Sequence, residues 1–223
     1  MKLLALDTST SYLSLALSVG DDTLVFHQCV EQKHAERTLP EVSRLLAEAG
    51  VSLNALDGIV FGQGPGSFTG LRIACGVAQG LAYSADLPVT AIPTLDNLAW
   101  QAGEGLVQVC FDARMQQVYS ALYRVGPDWE RLSPIAVVSP EEVALPDGVT
   151  MLAGDGFESH PQLLANARLE LPMSPHARPH AAAYVRLAES GRYPARHPRE
   201  AELLYVRNKV ALTSIEQQQA RSR

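Results

Sequence analysis

The chain of 223 residues lacks the cysteine pairs that mark zinc-binding proteins and the long apolar runs that mark membrane-spanning proteins. Its 3 cysteines are widely spaced and form no CxxC pair, which argues against a zinc site and for reduced thiols. No apolar run approaches the ~20 residues that a membrane-spanning helix needs. The N-terminal run ends in Asp7, where a signal peptide would stay apolar. We therefore interpret this run as a first β-strand and expect a cytoplasmic protein.

Common catalytic signatures are also missing. No GxSxG string is present, so the serines have no nucleophile-elbow context. His34 has no second histidine four residues later, because that position is Thr38. His176 and His180 have the right spacing, but neighbouring prolines break the helix that would align them. A histidine metal site, and with it a metallopeptidase, is therefore not expected.

A glycine-rich run from Gly62 to Gly70 is the most informative segment. It follows the apolar residues 59–61 and precedes a long helical pattern, Phe68–Ala85, for which Ser67 is a candidate N-cap. A strand, a glycine turn and a helix start resemble a phosphate cradle, but the Lys-Ser/Thr pair of a P-loop is absent. The run is either an anion site built from helix amides or a tight chain reversal, and we favour the reversal.

The charge of the chain is negative and uneven. There are 18 Lys and Arg against 24 Asp and Glu, which argues against strong unaided binding to nucleic acid. Residues 178–223 are nevertheless rich in Lys and Arg, and the final stretch, 216–223, is a polar tail that we expect to fray. The basic segment is either a solvated surface or a docking surface for an acidic partner or an RNA backbone.

The periodicity predicts an α/β fold. Predicted strands are Leu3–Asp7, Tyr12–Val19, Thr23–Gln32, Gly58–Gly62, Val89–Ile92 and Leu106–Asp112. Predicted helices are Phe68–Ala85, Thr94–Ala102 and one within His34–Ala49. Pro40 falls inside the last span and predicts a kink there or a true start near Leu39.

The pattern repeats when Asp7 is aligned with Asp112. Strand residues 3–7 fall on 108–112, and the later string Val60–Gly64 resembles Leu152–Gly156. A duplicated unit of this kind predicts two similar α/β lobes, 1–104 and 105–223, with a crevice between them. The second lobe is poorer in helix and carries the polar tail.

Asp7 and Asp112 end equivalent strands at this crevice. Such a pair suits Mg²⁺ and the phosphates of ATP, which leaves an independent ATP-dependent kinase or ATPase as an alternative function. Neither of the turns that follow contains glycine, so the backbone approach that phosphate needs is not favoured. We interpret Asp7, Gly64, Gly66 and Asp112 as a vestigial nucleotide site whose carboxylates cap turns, and we expect no bound cofactor.

The helix over Phe68–Ala85 is apolar around most of its circumference. A helix of this kind is buried on two sides, and its glycines permit close approach of another backbone. We expect it to form a partner surface together with the preceding helix. The predicted interface residues are Leu39, Val42, Leu46, Leu71, Ala74, Val77 and Ala78.

Three strings together resemble the bacterial TsaB (YeaZ-like) family. They are Leu4-Ala5-Leu6-Asp7-Thr8-Ser9-Thr10, Gly64-Pro65-Gly66-Ser67-Phe68-Thr69-Gly70-Leu71-Arg72, and Asp112-Ala113-Arg114 with Val118-Tyr119. The resemblance covers about the first 125 residues and is looser beyond them.

The resemblance implies two ribonuclease-H-like lobes of the actin/Hsp70/sugar-kinase superfamily, with the second lobe reduced. It implies a role in making threonylcarbamoyladenosine (t6A) at position 37 of tRNA, as a non-catalytic scaffold that pairs with the catalytic subunit TsaD and supports the ATPase TsaE. It further implies a homodimer when the chain is alone, and contact with tRNA only through the complex. TsaD-type proteins hold metal with two histidines on a helix, and this chain keeps only His34 there.

Overall fold

The protein's structure is a computed structural model that describes residues 1–165 and 171–206. The prediction of fraying for 216–223 therefore lies outside the described residues. The first sheet comprises β1 (Lys2–Asp7), β2 (Tyr12–Val19), β3 (Asp22–Cys29), β4 (Gly58–Gly64) and β5 (Val89–Pro93). The second comprises β6 (Gly105–Asp112), β7 (Val118–Val125), β8 (Glu130–Arg131), β9 (Ala136–Val138) and β10 (Met151–Ala153). The helices are α1 (His34–Glu48), α2 (Phe68–Ala85), α3 (Thr94–Ala102), α4 (Gly156–Ser159), α5 (Gln162–Ala165) and α6 (Ala181–Glu189).

The mixed α/β prediction is confirmed, and the two sheets share a pattern. The first has the strand order β3-β2-β1-β4-β5, with β1 antiparallel to β2 and parallel to β4. The second repeats this around β6, which is antiparallel to β7 and parallel to β10. The alignment of Asp7 with Asp112 therefore matches equivalent strand ends. The second half is poorer in helix here, because a single turn of 3₁₀ helix, Pro140–Glu142, stands where the first half has α1.

Helices cover both faces of the first sheet. Alternate residues of β1 point to opposite sides, so Leu4 and Leu6 pack toward α1 and α2 while Leu3 and Ala5 pack against α6. The predicted boundary at 104/105 separates the two sheets along the chain. Both α6 and the segment 194–206 nevertheless return to the first sheet, because that sheet is apolar on both faces and needs two covers.

Helix α1 rules out one of the two alternatives that Pro40 predicts, a start near Leu39. It begins at His34 and continues through Pro40 to Glu48, rather than starting near Leu39. The proline removes one N–H donor, which leaves the carbonyl of Glu36 without its helical bond. Glu36 and Pro40 are both exposed, so water can hydrate that carbonyl and the helix tolerates the loss.

Other local predictions are confirmed. Helix α2 spans the predicted residues, and Ser67 caps it by accepting from the Gly70 amide at 3.3 Å. Cys75 and Cys110 are buried, as their apolar surroundings predict, whereas Cys29 is exposed on β3. Within residues 1–165 and 171–206, no helix is both long enough and apolar enough to span a bilayer.

Candidate functional site

A crevice of about 1110 Å³ opens beside the carboxyl ends of β1 and β6. Its walls are the glycine-rich loop, the β6–β7 turn and the segment Leu204–Val206. The sequence-predicted nucleotide residues Gly66 and Asp112 line it, and Asp7 lies buried behind Ser9. What the crevice can do depends on where these carboxylates are directed.

The Asp7 carboxylate is bound within the chain itself. The side chain of Asp7 is 2 % exposed. Its Oδ1 accepts from the Ser9 amide at 2.8 Å and the Ser9 hydroxyl at 2.7 Å, and its Oδ2 accepts from the Tyr184 hydroxyl at 2.8 Å. Burial raises the pKa of Asp7 above its ordinary value, and the hydrogen bonds from Ser9 and Tyr184 oppose that rise. The turn-capping interpretation of Asp7 is confirmed.

Asp112 caps its turn in the same way. Its Oδ1 accepts from the Arg114 amide at 3.0 Å and lies 3.2 Å from His160 Nε2. The Asp112 amide in turn donates to Asp155 Oδ1 at 2.9 Å, and burial raises the pKa of the Asp155 carboxyl. The polar groups at the carboxyl end of β6 therefore form a hydrogen-bond network within the chain.

Three members of these networks were missed from the sequence: Tyr184, Asp155 and His160. Tyr184 is 177 positions from Asp7, a distance that no local pattern bridges. Asp155 lies in the string that aligns with Val60–Gly64, so the internal repeat was an available signal for it.

The glycines of the loop serve close packing. A Cβ placed on Gly66 would lie 2.7 Å from the Cβ of Ser9, and one on Gly70 would overlap the carbonyl oxygen of Thr8. Gly64 has a φ of +105°, and its added Cβ would lie 2.8 Å from Leu71 Cδ1. The loop is thus pressed onto the end of β1, and the tight-reversal interpretation is confirmed.

The predicted interface residues divide into two groups. Val42, Leu71, Ala74 and Ala78 are buried in the core against the first sheet. Partner contact by these four stays a prediction, and in the single folded chain their side chains point inward. Leu39 is 48 % exposed, and Leu46 and Val77 are half-buried.

A different stripe of α2 is open. Gly76 and Gly80 are exposed, and a Cβ added to either would meet nothing within 4 Å. Ile73 and Val77, at the same helical spacing, are half-buried. We call the outward surface of the two helices the α1–α2 face. It consists of Leu39, Leu46, Ile73, Gly76, Val77 and Gly80.

The histidines have structural contacts. His34 is buried, with Nε2 3.2 Å from the carbonyl oxygen of Tyr12. His180 caps α6 by accepting from the Ala182 amide, and its ring packs on His27, whose pKa burial lowers to about 4. Among the residues that the structure describes, no three His, Cys, Asp or Glu side chains are grouped to hold a metal ion.

Replacing Asp7 with asparagine is expected to make the protein progressively more stable, relative to wild type, as pH rises. The folded-state pKa of Asp7 lies above its ordinary value of 3.8, so its contribution to stability is complete below that value and is lost as pH rises through the folded pKa. Asparagine keeps the acceptor for Ser9 and cannot ionise. Urea unfolding of both proteins between about pH 4 and about pH 8 measures the difference. A difference that does not change with pH would contradict the assignment, and Asp21→Asn in an exposed turn is the control.

Comparison with protein families places these features in context. Residues 25–176 match the family model described as TsaD: tRNA N6-adenosine threonylcarbamoyltransferase. The chain is 35% identical over 228 residues to the tRNA threonylcarbamoyladenosine biosynthesis protein TsaB of Haemophilus influenzae, covering 94% of this chain and 95% of that protein. It is 35% identical over 229 residues to TsaB of Escherichia coli K12, covering 95% of this chain and 96% of that protein.

Solved structures agree with the sequence matches. A Pseudomonas aeruginosa structure described as an uncharacterized protein with similarity to peptidase YEAZ superposes with a TM-score of 0.84 at 37% identity, covering 92% of this chain and 99% of that one. A second, described as YeaZ from Pseudomonas aeruginosa, gives a TM-score of 0.80 at 36% identity, with 92% and 100% covered.

Proposed function

The chain belongs to the TsaB family of tRNA threonylcarbamoyladenosine biosynthesis proteins, and we propose that it acts there as a non-catalytic subunit. In this proposal it pairs with a TsaD-like catalytic subunit and supports binding of a TsaE-like ATPase. It reaches tRNA only through the complex, in the cytoplasm. Alone, the chain forms a homodimer through the surface that it uses to pair with the TsaD-like subunit.

The internal use of Asp7 is the observation that carries the non-catalytic assignment. A carboxylate that coordinates Mg²⁺ must present oxygen atoms to the ion. Both oxygens of Asp7 instead accept hydrogen bonds from Ser9 and Tyr184, in a position that is 2 % exposed. Asp112 is similarly engaged by Arg114 and His160. We infer that the nucleotide site of the fold is vestigial in this chain.

The α1–α2 face supports the pairing assignment. Interior glycine costs about 1 kcal/mol relative to alanine in a helix, so Gly76 and Gly80 weaken α2 although a Cβ added to either would meet nothing within 4 Å. Close approach of another backbone would account for them. The flanking residues Leu39, Ile73 and Val77 supply apolar contact area.

The two sheets support the finer fold assignment. We infer that each is the core of a ribonuclease-H-like lobe of the actin/Hsp70/sugar-kinase superfamily, because β1, β2 and β4 are related as β6, β7 and β10 are. In this interpretation the second lobe is reduced. Helices α3 and α6 then lie between the lobes.

Reconstitution tests the function. The chain alone should transfer no threonylcarbamoyl group to tRNA, whereas addition of the cognate TsaD and TsaE should produce modified adenosine, with much less when this chain is omitted. Full activity of the partners without the chain would refute the proposal. In the same preparation, calorimetry with Mg-ATP should detect no tight binding to the chain alone. Tight binding that Asp7→Ala abolishes would support the kinase or ATPase alternative instead.

A further inference from the structure

An exposed stack of three side chains stands at the N-terminal end of α2. Phe68 is 55% exposed and Tyr205 is 49% exposed, and their ring centroids are 6.2 Å apart. The Arg72 guanidinium lies 3.3 Å from the Phe68 ring centroid and 5.5 Å from that of Tyr205. One Arg72 nitrogen also donates to the Phe68 carbonyl at 3.2 Å. The arginine is thus held in place by aromatic contacts and a backbone bond.

Among the described residues, no carboxylate neutralises the charge of Arg72. Other exposed arginines, such as Arg44 and Arg124, pair with glutamates at 2.6–2.8 Å. Within the described ranges Arg72 forms no ion pair. A guanidinium has five N–H donors, so most of those on Arg72 are available to an incoming acceptor. Held against both rings, the guanidinium is pre-organised for a carboxylate.

The segment that carries Tyr205 is fixed along α2. Residues 194–206, which we call the C-terminal strap, pair with β5 through Arg196 and receive a 3.0 Å hydrogen bond from Gln79 Nε2 to the Pro198 carbonyl. Farther on, the Leu204 amide donates to the Gln63 carbonyl at 2.9 Å. The strap therefore holds Tyr205 beside Phe68, at the end of the helix that also carries Gly76 and Gly80.

The α1–α2 face is small for a stable interface on its own. The 18 residues of α2 span about 27 Å, and two packed helices present a width of about 18 Å, which gives about 500 Å². A standard interface buries about 800 Å² on each partner. If the interface extends from the α1–α2 face across the stack, it gains area that is rich in aromatic residues and arginine. These residue types are enriched at the centres of protein interfaces.

We propose that the Phe68–Arg72–Tyr205 stack is the charged anchor of the same interface, and that it receives an acidic side chain, flanked by apolar residues, of the TsaD-like subunit. This inference rests on the proposed function, because it extends the α1–α2 face to a second contact with the same partner. A protein partner is favoured over RNA because the chain's net charge of -6 repels a polyanion.

Binding of the full-length chain to its cognate TsaD tests the anchor. Arg72→Ala is expected to raise the dissociation constant at least about 10-fold, and Arg72→Glu to raise it further. The effect of Arg72→Ala should shrink at high salt, whereas that of Phe68→Ser should persist, because salt screens the ion pair alone. Arg199→Ala, on the strap and 73% exposed, is the matched control and should bind within about 2-fold of wild type.

The outcomes separate the two proposals. Failure of the wild-type chain to bind TsaD would refute the proposed function. Normal wild-type binding with unchanged affinity of Arg72→Ala and Phe68→Ser would refute the anchor alone. Reduced tRNA binding by the Arg72 variant, with unchanged TsaD affinity, would likewise overturn it in favour of an RNA contact. Thermal unfolding of each variant establishes that the fold is intact.

Discussion

Replacing Gly70 with alanine is expected to destabilise the protein by about 3 kcal/mol, the upper end of the usual cost of overpacking. The new Cβ would overlap the carbonyl oxygen of Thr8, which is backbone and has little freedom to move. It would also disturb the 2.7 Å hydrogen bond from the Thr8 hydroxyl to the Gly70 carbonyl. Urea unfolding of the two proteins measures the loss.

The same helix provides the control. Gly76→Ala places its Cβ in open space on the single chain, so at protein concentrations low enough to keep the free chain monomeric the gain in helix propensity is expected to stabilise it by about 0.5–1 kcal/mol. Equal effects of alanine at positions 70 and 76 would contradict the packing described for the glycine-rich loop. Opposite signs of the two changes in unfolding free energy would show that the fold requires glycine at position 70 and does not require it at position 76.

Replacing Gly76 with glutamate is expected to abolish pairing with the TsaD-like subunit and, with it, production of modified tRNA, while the free chain stays folded. Glutamate is a better helix former than glycine and position 76 is exposed, so the monomer gains stability. A charged side chain would hold the partner's backbone away and would be desolvated on binding. Size-exclusion chromatography and the modification assay measure the two effects.

A charge elsewhere on the surface controls for this second prediction. Ala144→Glu adds the same carboxylate at an exposed position in the second half of the chain, outside α1, α2 and the strap, and should pair normally. An intact complex with Gly76→Glu would show that the partner does not cover this face. Loss of pairing in both variants would point to general charge repulsion rather than a defined surface.

The sequence identified α2, its Ser67 cap and the carboxylate pair because each depends on short-range chemistry. A serine before an apolar run caps a helix, and an aspartate after a strand caps a turn, whatever surrounds them. The family resemblance came from the same segments. These local predictions are confirmed by the structure.

Which side of a helix stays open to a partner depends on tertiary packing, and the sequence alone did not separate the outward residues of α2 from the inward ones. Ala74 and Val77 are both small apolar residues of α2, yet Ala74 is buried against the sheet and Val77 is half-exposed. Pattern alone could not rank them, because α2 is apolar on most sides. The bond from Tyr184 to Asp7 was likewise out of reach, since it joins the two ends of the chain.

The position of α6 has a consequence for synthesis on the ribosome. Residues 1–104 contain all five strands of the first sheet, but the helix that covers Leu3, Ala5 and Val60 begins only at Ala181. At about 5–20 residues per second, the nascent chain waits roughly 4–15 s for that helix to be translated. During this interval only α3 covers part of that side of the sheet, so the rest of its apolar surface stays open to neighbouring chains.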